Sequence, residues 1–459
     1  MENLINGKYT YGDKTLFPTN DPDFISFEYG TPENKLLPSD IITVATKHKF
    51  ESPFAFTTLQ YGPSLGDLEF REVLSTFLTE EYNDGVPVLP QHLSISNGAS
   101  QSLFNIISLF TDRETKFLIE DPTYFLAIKI FEDLGVNIEK DLHSVLTDEG
   151  GIVIENLDSK LKELTKLNPN LLNLKKFSKT DSKKKKFKFF LYLVPTFSNP
   201  TGSTLNLQRR LQLLKLAKQF DLLIFCDDVY NFLSFDENFK IPKRLIALEL
   251  ENFNAEVEFG NVISNCSFSK IFAPGFRLGW VEASSFKSSF RIITKILNAF
   301  SGILYSGGCP NHFATGLMTS IIQLGFLKTY IENLKSCDVC CDALLKYLPA
   351  GCSFVKPKGG FFIWLSLPNF VDTTQLFLDL KNASLNNIEI FNFKLKCEIE
   401  GNIDKLVKFE KVSFAPANTF SVSKKFGNCL RLSFAFYSED QLLLGIVRLC
   451  NLLKCIIEN

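Results

Sequence analysis

Lys270 lies just past an apolar run and between hydroxyls, in Ser264-Asn265-Cys266-Ser267-Phe268-Ser269-Lys270-Ile271-Phe272-Ala273-Pro274-Gly275-Phe276-Arg277-Leu278-Gly279-Trp280. A lysine after a buried strand, serines on either side and an arginine one or two turns of chain later suit an aldehyde cofactor that carries a phosphate. The amine has to be desolvated enough to be neutral and form an imine, and the hydroxyls and guanidinium have to neutralise a dianion nearby. Alone, the segment fits a surface lysine with helix-capping serines as well. Two more stretches tip the balance. Pro195-Thr196-Phe197-Ser198-Asn199-Pro200-Thr201-Gly202 ends one apolar run and Cys226-Asp227-Asp228-Val229-Tyr230 ends the next. An Asp at such a point can hold a pyridinium proton and make the ring an electron sink, while an amide and a phenol can bond a ring oxygen. Singly, the first stretch is a turn and the second a helix cap.

The elements that must position these groups are legible as strand-like runs alternating with helical patterns from about 90 to 280. The runs are Leu93 to Ser96, Lys116 to Ile119, Phe189 to Val194, Leu222 to Cys226 and Val262 to Cys266. This is the pattern of a parallel sheet covered by helices, whose strand ends collect ligands. Between the third and fourth runs, Leu207, Leu211, Leu214 and Ala217 predict an amphipathic helix with that face on the sheet. From about 315 onward a long helix, Gly-rich and strand-like segments and a terminal helix predict a smaller α+β domain. The expected division is an arm and part of the small domain over 1–50, a large domain over 51–312 and the rest of the small domain over 313–459. A low-complexity stretch, about 161–188 and centred on Lys183-Lys184-Lys185-Lys186, reads as a solvated surface insertion.

With 459 residues, 45% hydrophobic, and 49 Lys+Arg against 51 Asp+Glu, the chain is of ordinary globular composition and could fill two or three domains. A formal net charge of −2 gives no long-range pull on nucleic acid or membrane surfaces, so a small-molecule partner is expected. The start lacks an apolar signal core and an Arg-rich amphipathic pattern, which predicts a cytosolic (cytoplasmic) protein. Eleven cysteines suit reduced thiols better than a disulfide framework, and four histidines with no paired CxxC predict no metal site. The 46 phenylalanines are assigned to core packing.

Taken together, these motifs resemble the fold-type I pyridoxal-phosphate aminotransferases of class I/II, in the branch of 2-aminoadipate, kynurenine and aromatic aminotransferases. The likeness runs from about residue 25 to the C-terminus, interrupted by the Lys-rich stretch. It implies an α/β large domain with a mostly parallel sheet and helices on both faces, plus a smaller α+β domain. It also implies pyridoxal 5′-phosphate as cofactor, with Lys270 forming the imine and moving the substrate proton. Asp227, three residues before Tyr230, is preferred over Asp228 as the partner of the ring nitrogen, and Asn199 and Tyr230 would bond the ring hydroxyl. Ser267, Ser269 and Arg277 correspond to phosphate anchors, as do the first N–H groups of a helix at Ala99, Ser100 and Gln101, where the positive helix end favours an anion. This chain has Ala99 and Ser102 where the family often has Ser, Thr or a second Gln, which leaves side-chain contacts to Ser100 and Gln101. Tyr124, in Glu120-Asp121-Pro122-Thr123-Tyr124, corresponds to the aromatic that stacks on the ring.

Tyr61, in Tyr61-Gly62-Pro63-Ser64, corresponds to a tyrosine that reaches the phosphate of the other subunit, which implies a homodimer with shared active sites. Arg431, in Leu430-Arg431-Leu432-Ser433-Phe434, matches the arginine that takes the α-carboxylate, and Gly30 the glycine that lets backbone approach the substrate. The expected reaction moves an amino group from an aromatic, 2-aminoadipate-like or long aliphatic L-amino acid to a 2-oxo acid such as 2-oxoglutarate, with ping-pong kinetics. A cysteine-conjugate β-lyase or an aminocyclopropane-carboxylate synthase-like lyase uses nearly the same residues. A cofactor-sensing transcription regulator would need a DNA-binding domain before Tyr61, where the chain is too short.

Overall fold

The computed structural model describes residues 21, 23–167, 186–252, 260–283, 302, 310–334, 338–397 and 401–458. The chain divides into two units. The smaller takes the described parts of Met1–Leu37, Asn199–Gly202 and Ser336–Asn459; the larger takes those of Pro38–Ser198 and Ser203–Lys335. These limits differ from the expected 50 and 312. Helix α1 (Ser39–Phe50) and helix α8 (His312–Gln323) pack on each other, and α8 also packs on α2 (Leu68–Tyr82), so all three belong to the large unit.

The smaller unit opens with β1 (Ile25–Ser26). The large unit is built on an eight-stranded sheet formed by β2 (Leu93–Ser96), β3 (Lys116–Asp121), β4 (Leu142–Asp148), β5 (Gly151–Ile152), β6 (Phe189–Leu193), β7 (Leu222–Asp227), β8 (Val262–Ser267) and β9 (Gly279–Ala283). Its order is β2-β9-β8-β7-β6-β3-β4-β5. The neighbours from β8 through β7, β6 and β3 to β4 are parallel, whereas β9 and β5 run against their partners. The five expected strands are all present; β4, β5 and β9 are additional. Strands buried on both faces need apolar residues at every position, and β6 (Phe-Phe-Leu-Tyr-Leu) and β7 (Leu-Leu-Ile-Phe-Cys-Asp) are buried throughout. Tyr192 and Asp227 are the polar exceptions.

The covering helices are α3 (Ala99–Phe110), α4 (Phe125–Asp133), α5 (Ile154–Leu167), α6 (Leu207–Phe220) and α7 (Leu245–Glu251), and α9 (Phe326–Asn333) follows α8. Asp67, Asn206 and Asn311 start α2, α6 and α8 by accepting a bond from an N–H of the first turn. On α6 the expected apolar face is rotated. Leu207 and Leu211 are 47% and 38% exposed, and the buried stripe is Arg210, Leu213, Leu214, Leu216 and Ala217. The cause is Arg210, wholly buried, whose guanidinium donates to the carbonyls of Leu205 (2.7 Å) and Pro195 (2.9 Å) and to the Thr196 hydroxyl (2.8 Å).

In the smaller unit, β10 (Ser353–Phe354), β11 (Phe362–Ser366), β15 (Ala415–Pro416) and β16 (Cys429–Ser433) form an antiparallel sheet in the order β10-β11-β16-β15. β12 (Ile390–Cys397) and β13 (Gly401–Lys408) form a hairpin, and β14 (Val412–Ser413) pairs with β1 in parallel. Helices α10 (Asp338–Tyr347), α11 (Thr373–Leu385) and α12 (Glu439–Ile457) complete it. Gly445 of α12 lies where a Cβ would stand 2.6 Å from Phe27, so β1 and α12 approach more closely than any side chain allows. Of the Lys-rich stretch, 168–185 lie outside the described residues. Lys186 is not simply solvated: its ammonium donates to the carbonyls of Leu109 (2.9 Å) and Thr111 (2.8 Å), closing the carboxyl end of α3. Among the described residues no helix is long and apolar enough to cross a membrane.

Candidate active site

The candidate residues of the large unit gather at the carboxyl ends of β2, β3, β7 and β8, the edge where parallel sheets place ligands. Lys270 is carried on the turn after β8, half-buried, and that turn is fixed by apolar anchors. Phe268, wholly buried, packs its ring on Trp280 (centroids 4.9 Å), its carbonyl accepts from Phe272 N (2.9 Å), and the Phe272 carbonyl accepts from the Tyr330 hydroxyl (2.9 Å).

Asp227 and Asp228 point into different surroundings. Asp228 accepts from the Ser264 hydroxyl (2.5 Å) and feels the charges of Arg210 and Arg244. Arg244 is itself buried, pairs with Asp84 (2.8 Å) and Glu282, and lies 3.7 Å from the centre of the Tyr82 ring. Asp227 instead faces Lys270 electrostatically; its Oδ2 accepts from the Tyr192 hydroxyl (2.7 Å) and its Oδ1 from Asn265 Nδ2 (3.3 Å). Burial pushes its pKa up to about 6 against those two donors. Asn265 also donates to the Ala99 carbonyl (3.2 Å), tying the acid to the start of α3.

The chemistry of that start suits an anion. Gly98, at φ +99°, precedes α3 with no side chain capping the helix, so the first N–H groups at Ala99, Ser100 and Gln101 keep the positive end open. A Cβ on Gly98 would stand 2.8 Å from Arg277 Nη2. Arg277, itself in the left-handed region at φ +46°, donates to Ser269 Oγ (3.3 Å) and to the Asn97 carbonyl (3.4 Å), and Ser267 and Ser269 are joined at 2.9 Å. Two hydroxyls, a guanidinium and a helix start therefore converge, which fits a phosphate dianion. Gln101 differs from expectation: its Oε1 accepts from Asn97 N (3.3 Å), so its side chain closes the loop. Tyr230 is buried just beyond Asp227, and Tyr124, half-buried at the start of α4, is near enough to Tyr192 for the two phenols to interact electrostatically. Tyr61 is 84% exposed.

The candidates of the smaller unit centre on Arg431. Arg431, on β16 and 3% exposed, has its guanidinium between the rings of Phe362 (4.3 Å) and Phe420 (4.6 Å). Nη1 donates to Asn199 Oδ1 (3.0 Å) and Nη2 to the Glu28 carbonyl (2.7 Å). A planar cation held this rigidly is suited to bidentate recognition of a carboxylate. A Cβ on Gly30 would stand 3.0 Å from the Phe362 ring, a contact tight enough that the ring would have to shift. Sequence reasoning did not single out Tyr192, Asn265 or Glu28. The signal for Tyr192 was its phenol inside an otherwise apolar strand, because a buried hydroxyl needs a partner.

The family model for aminotransferase class I and II matches residues 28–449. The chain belongs to the class I and II aminotransferases. This enzyme is 28% identical over 437 residues to aromatic-amino-acid aminotransferase 1 of Thermococcus litoralis, across 94% of this chain and 88% of the relative. The crystal structure of Pyrococcus horikoshii kynurenine aminotransferase in complex with PMP, KYN and KYA matches with a TM-score of 0.72 at 28% identity, over 95% of this chain and 92% of that one. The alpha-aminoadipate aminotransferase of Thermus thermophilus, complexed with N-(5′-phosphopyridoxyl)-L-leucine, matches with a TM-score of 0.70 at 25% identity, over 95% and 93%. This aminotransferase is a fold-type I enzyme dependent on pyridoxal phosphate, and the residues at the sheet edge fit that group: an anion cradle, a buried acid and a lysine facing it.

Proposed function

We propose that this aminotransferase transfers the amino group of aromatic, 2-aminoadipate-like or long aliphatic L-amino acids to a 2-oxo acid such as 2-oxoglutarate. The observation that carries the assignment of residues is Asp227, doubly hydrogen-bonded at the end of β7, facing Lys270 on the turn after β8. Lys270 would hold the cofactor covalently, Asp227 its ring nitrogen, Tyr230 and Asn199 its ring hydroxyl, and Tyr124 its face. Ser267, Ser269, Arg277 and the N–H groups of Ala99, Ser100 and Gln101 would hold its phosphate. When bound, pyridoxal phosphate supplies an electrophilic carbon for the amino group and a ring that takes up the electron pair released at the substrate Cα.

Lys270 would remove the Cα proton and return it on the far side of the amino nitrogen. Ionised Asp227 keeps a proton on the group it faces. Arg431, unable to swing between its two rings, fixes the α-carboxylate in both half-reactions, and Gly30 lets the backbone approach the substrate. Both substrates then use the site in turn, with ping-pong kinetics. The substrate class is supported by the names of the relatives and by the aromatic surroundings of Arg431.

A homodimer is part of the proposal. Phe54, Phe56, Leu59 and Tyr61 are 68%, 63%, 67% and 84% exposed on one short stretch of chain, an apolar surface that a second copy would cover, with Tyr61 serving the partner's phosphate. The buried cysteine side chains among the described residues support a cytoplasmic location. The test is borohydride reduction of the holoenzyme with peptide mapping, followed by a donor panel with 2-oxoglutarate. Label on Lys270 with turnover of aromatic or aminoadipate donors is expected. Label on another lysine sinks the site assignment, and pyruvate and ammonia formed without an acceptor would mark a lyase.

A further inference from the structure

We propose that Glu28 sets the charge with which Arg431 meets a carboxylate, so that capture of the substrate carboxylate is coupled to uptake of a proton at Glu28. The inference rests on the reading of Arg431 as the carboxylate clamp and adds a positioning residue to it. Glu28 is 3% exposed and lies between β1 and the loop to Gly30. Its carbonyl holds Arg431 Nη2 at 2.7 Å, and its carboxyl turns inward, where Oε1 accepts from the hydroxyls of Ser413 (2.6 Å) and Ser26 (2.9 Å). One residue thus grips the guanidinium through its backbone and places an ionisable acid beside it. The charged and titratable groups that face this acid are Arg431 on β16, Lys381 on α11, Tyr29 in the following loop and Tyr437 ahead of α12. The Tyr437 hydroxyl accepts from Ser26 N at 2.9 Å, and both phenols are pushed up, mainly by burial, so neither competes as an anion near neutrality.

Burial pushes Glu28 up to about 7, against the two hydroxyl donors and the two cations. The carboxyl is therefore divided between its charged and neutral forms where the enzyme would work. A carboxylate arriving at Arg431 adds a second negative charge to the cluster, which favours neutral Glu28. By reciprocity, ionised Glu28 weakens the carboxylate, by about tenfold for each pKa unit of coupling. Two like charges sharing one buried guanidinium couple by roughly one to two units, so affinity should fall on the order of 10- to 100-fold between pH 6 and pH 9. Amino acid and 2-oxo acid both carry the carboxylate, so both KM values should rise together. Ionisation of the substrate's amine affects only the first.

The test uses the pyridoxamine phosphate form of the holoenzyme and 3-phenylpropionate, a carboxylate without an amine, by calorimetry from pH 6 to 9 in buffers of differing ionisation enthalpy. The wild type should lose affinity with rising pH and take up about 0.4 to 0.8 of a proton per ligand near pH 8. Glu28→Gln should keep the pH 6 affinity at pH 9 and lose the uptake. Ser413→Ala, which keeps the acid but removes its 2.6 Å donor, should move the midpoint upward, and it carries the test if the first variant does not fold. An unchanged profile and unchanged uptake in the variants overturn the role of Glu28. Absence of 3-phenylpropionate binding to the wild type at pH 6, or full binding by Arg431→Ala, overturns the clamp itself.

Discussion

Removing one phenolic oxygen, by Tyr192→Phe, should displace the titration of the acid proposed to hold the cofactor ring. The Tyr192 hydroxyl donates to Asp227 Oδ2 at 2.7 Å inside a fully buried strand, so no water replaces it. A hydrogen bond to a charged group is worth about 1.5–3 kcal/mol, and one pKa unit corresponds to about 1.4 kcal/mol, so the loss should raise Asp227 by about one to two units. Asp227 already stands at about 6, held there by burial against Tyr192 and Asn265. The variant should therefore titrate at roughly 7–8. At pH 6.5 the ionised fraction would fall from roughly three quarters to between a quarter and a few per cent, whereas at pH 9 the two proteins would differ little. The assay is pyridoxal phosphate binding to the cofactor-free protein across pH, in which the acid limb of affinity reports this carboxyl. An acid limb that stays in place, or that moves to lower pH, refutes the argument that Tyr192 stabilises ionised Asp227. The change is close to isosteric and should leave the fold intact.

Arg431→Ala should raise KM for amino acid and 2-oxo acid alike by about 100-fold or more, since a buried charge-assisted pair is worth several kcal/mol; steady-state kinetics with both substrates would show it, and an unchanged KM would move the clamp elsewhere. Gly98→Ala places a Cβ 2.8 Å from Arg277 Nη2 at a backbone φ of +99°, and should weaken cofactor affinity by about tenfold in a fluorescence titration; equal affinity would remove Gly98 from the cradle. Lys270→Ala should abolish turnover while thermal unfolding stays cooperative; retained wild-type turnover refutes its role. The cofactor-free enzyme should lose about 2–3 kcal/mol between pH 6.5 and 8 in thermal or urea unfolding. Glu120 and Glu28, raised to about 8 and 7, make the folded state bind more protons than the unfolded one in that window, and Glu120→Gln should flatten the decline. His92, lowered to about 4, acts in the opposite sense only below its ordinary value near 6.5, so stability that rose across pH 6.5–8 would count against these burials.

The parallel strands were legible because burial on both faces forces uninterrupted apolar runs, and the motifs were legible because they sit where those runs stop. β9 was not, since Gly279 to Ala283 follows a Pro-Gly turn with nothing in its periodicity to mark a strand inserted antiparallel between β2 and β8. The α6 face was misjudged for a physical reason. Helical periodicity treats arginine as solvent-facing, but Arg210 turns inward and donates to the Pro195 and Leu205 carbonyls. The choice between Asp227 and Asp228 could not come from spacing alone. It depends on what lies on each side of the sheet edge: Tyr192 and Lys270 for one, Ser264 and two arginines for the other. Glu28 carried no sequence signal, because an acid next to a glycine turn reads as exposed.

A common rule connects the buried acids. Asp84 and Glu282 are met by the buried guanidinium of Arg244, so a fixed cation stands beside each and the cluster holds structure. Asp227, Glu120 and Glu28 are met mainly by neutral donors: a phenol and an amide, the Val194 N–H (2.7 Å), and two serine hydroxyls. A hydroxyl or amide partly offsets the desolvation of a carboxylate without fixing its charge, so each of these groups stands between about 6 and 8. Such an acid responds to a charge that arrives. Asp227 would answer a cationic ring nitrogen by ionising, and Glu28 would answer an anionic substrate by taking up a proton. The chain has thus placed fixed charges where it needs packing and adjustable ones where ligands of opposite sign are expected. The rule is testable at Glu120, which faces no assigned ligand group but feels the charge of Asp227: it should not respond to a carboxylate and should respond to the cofactor only upward, as Asp227 ionises, while Asp227 and Glu28 each respond directly to one ligand.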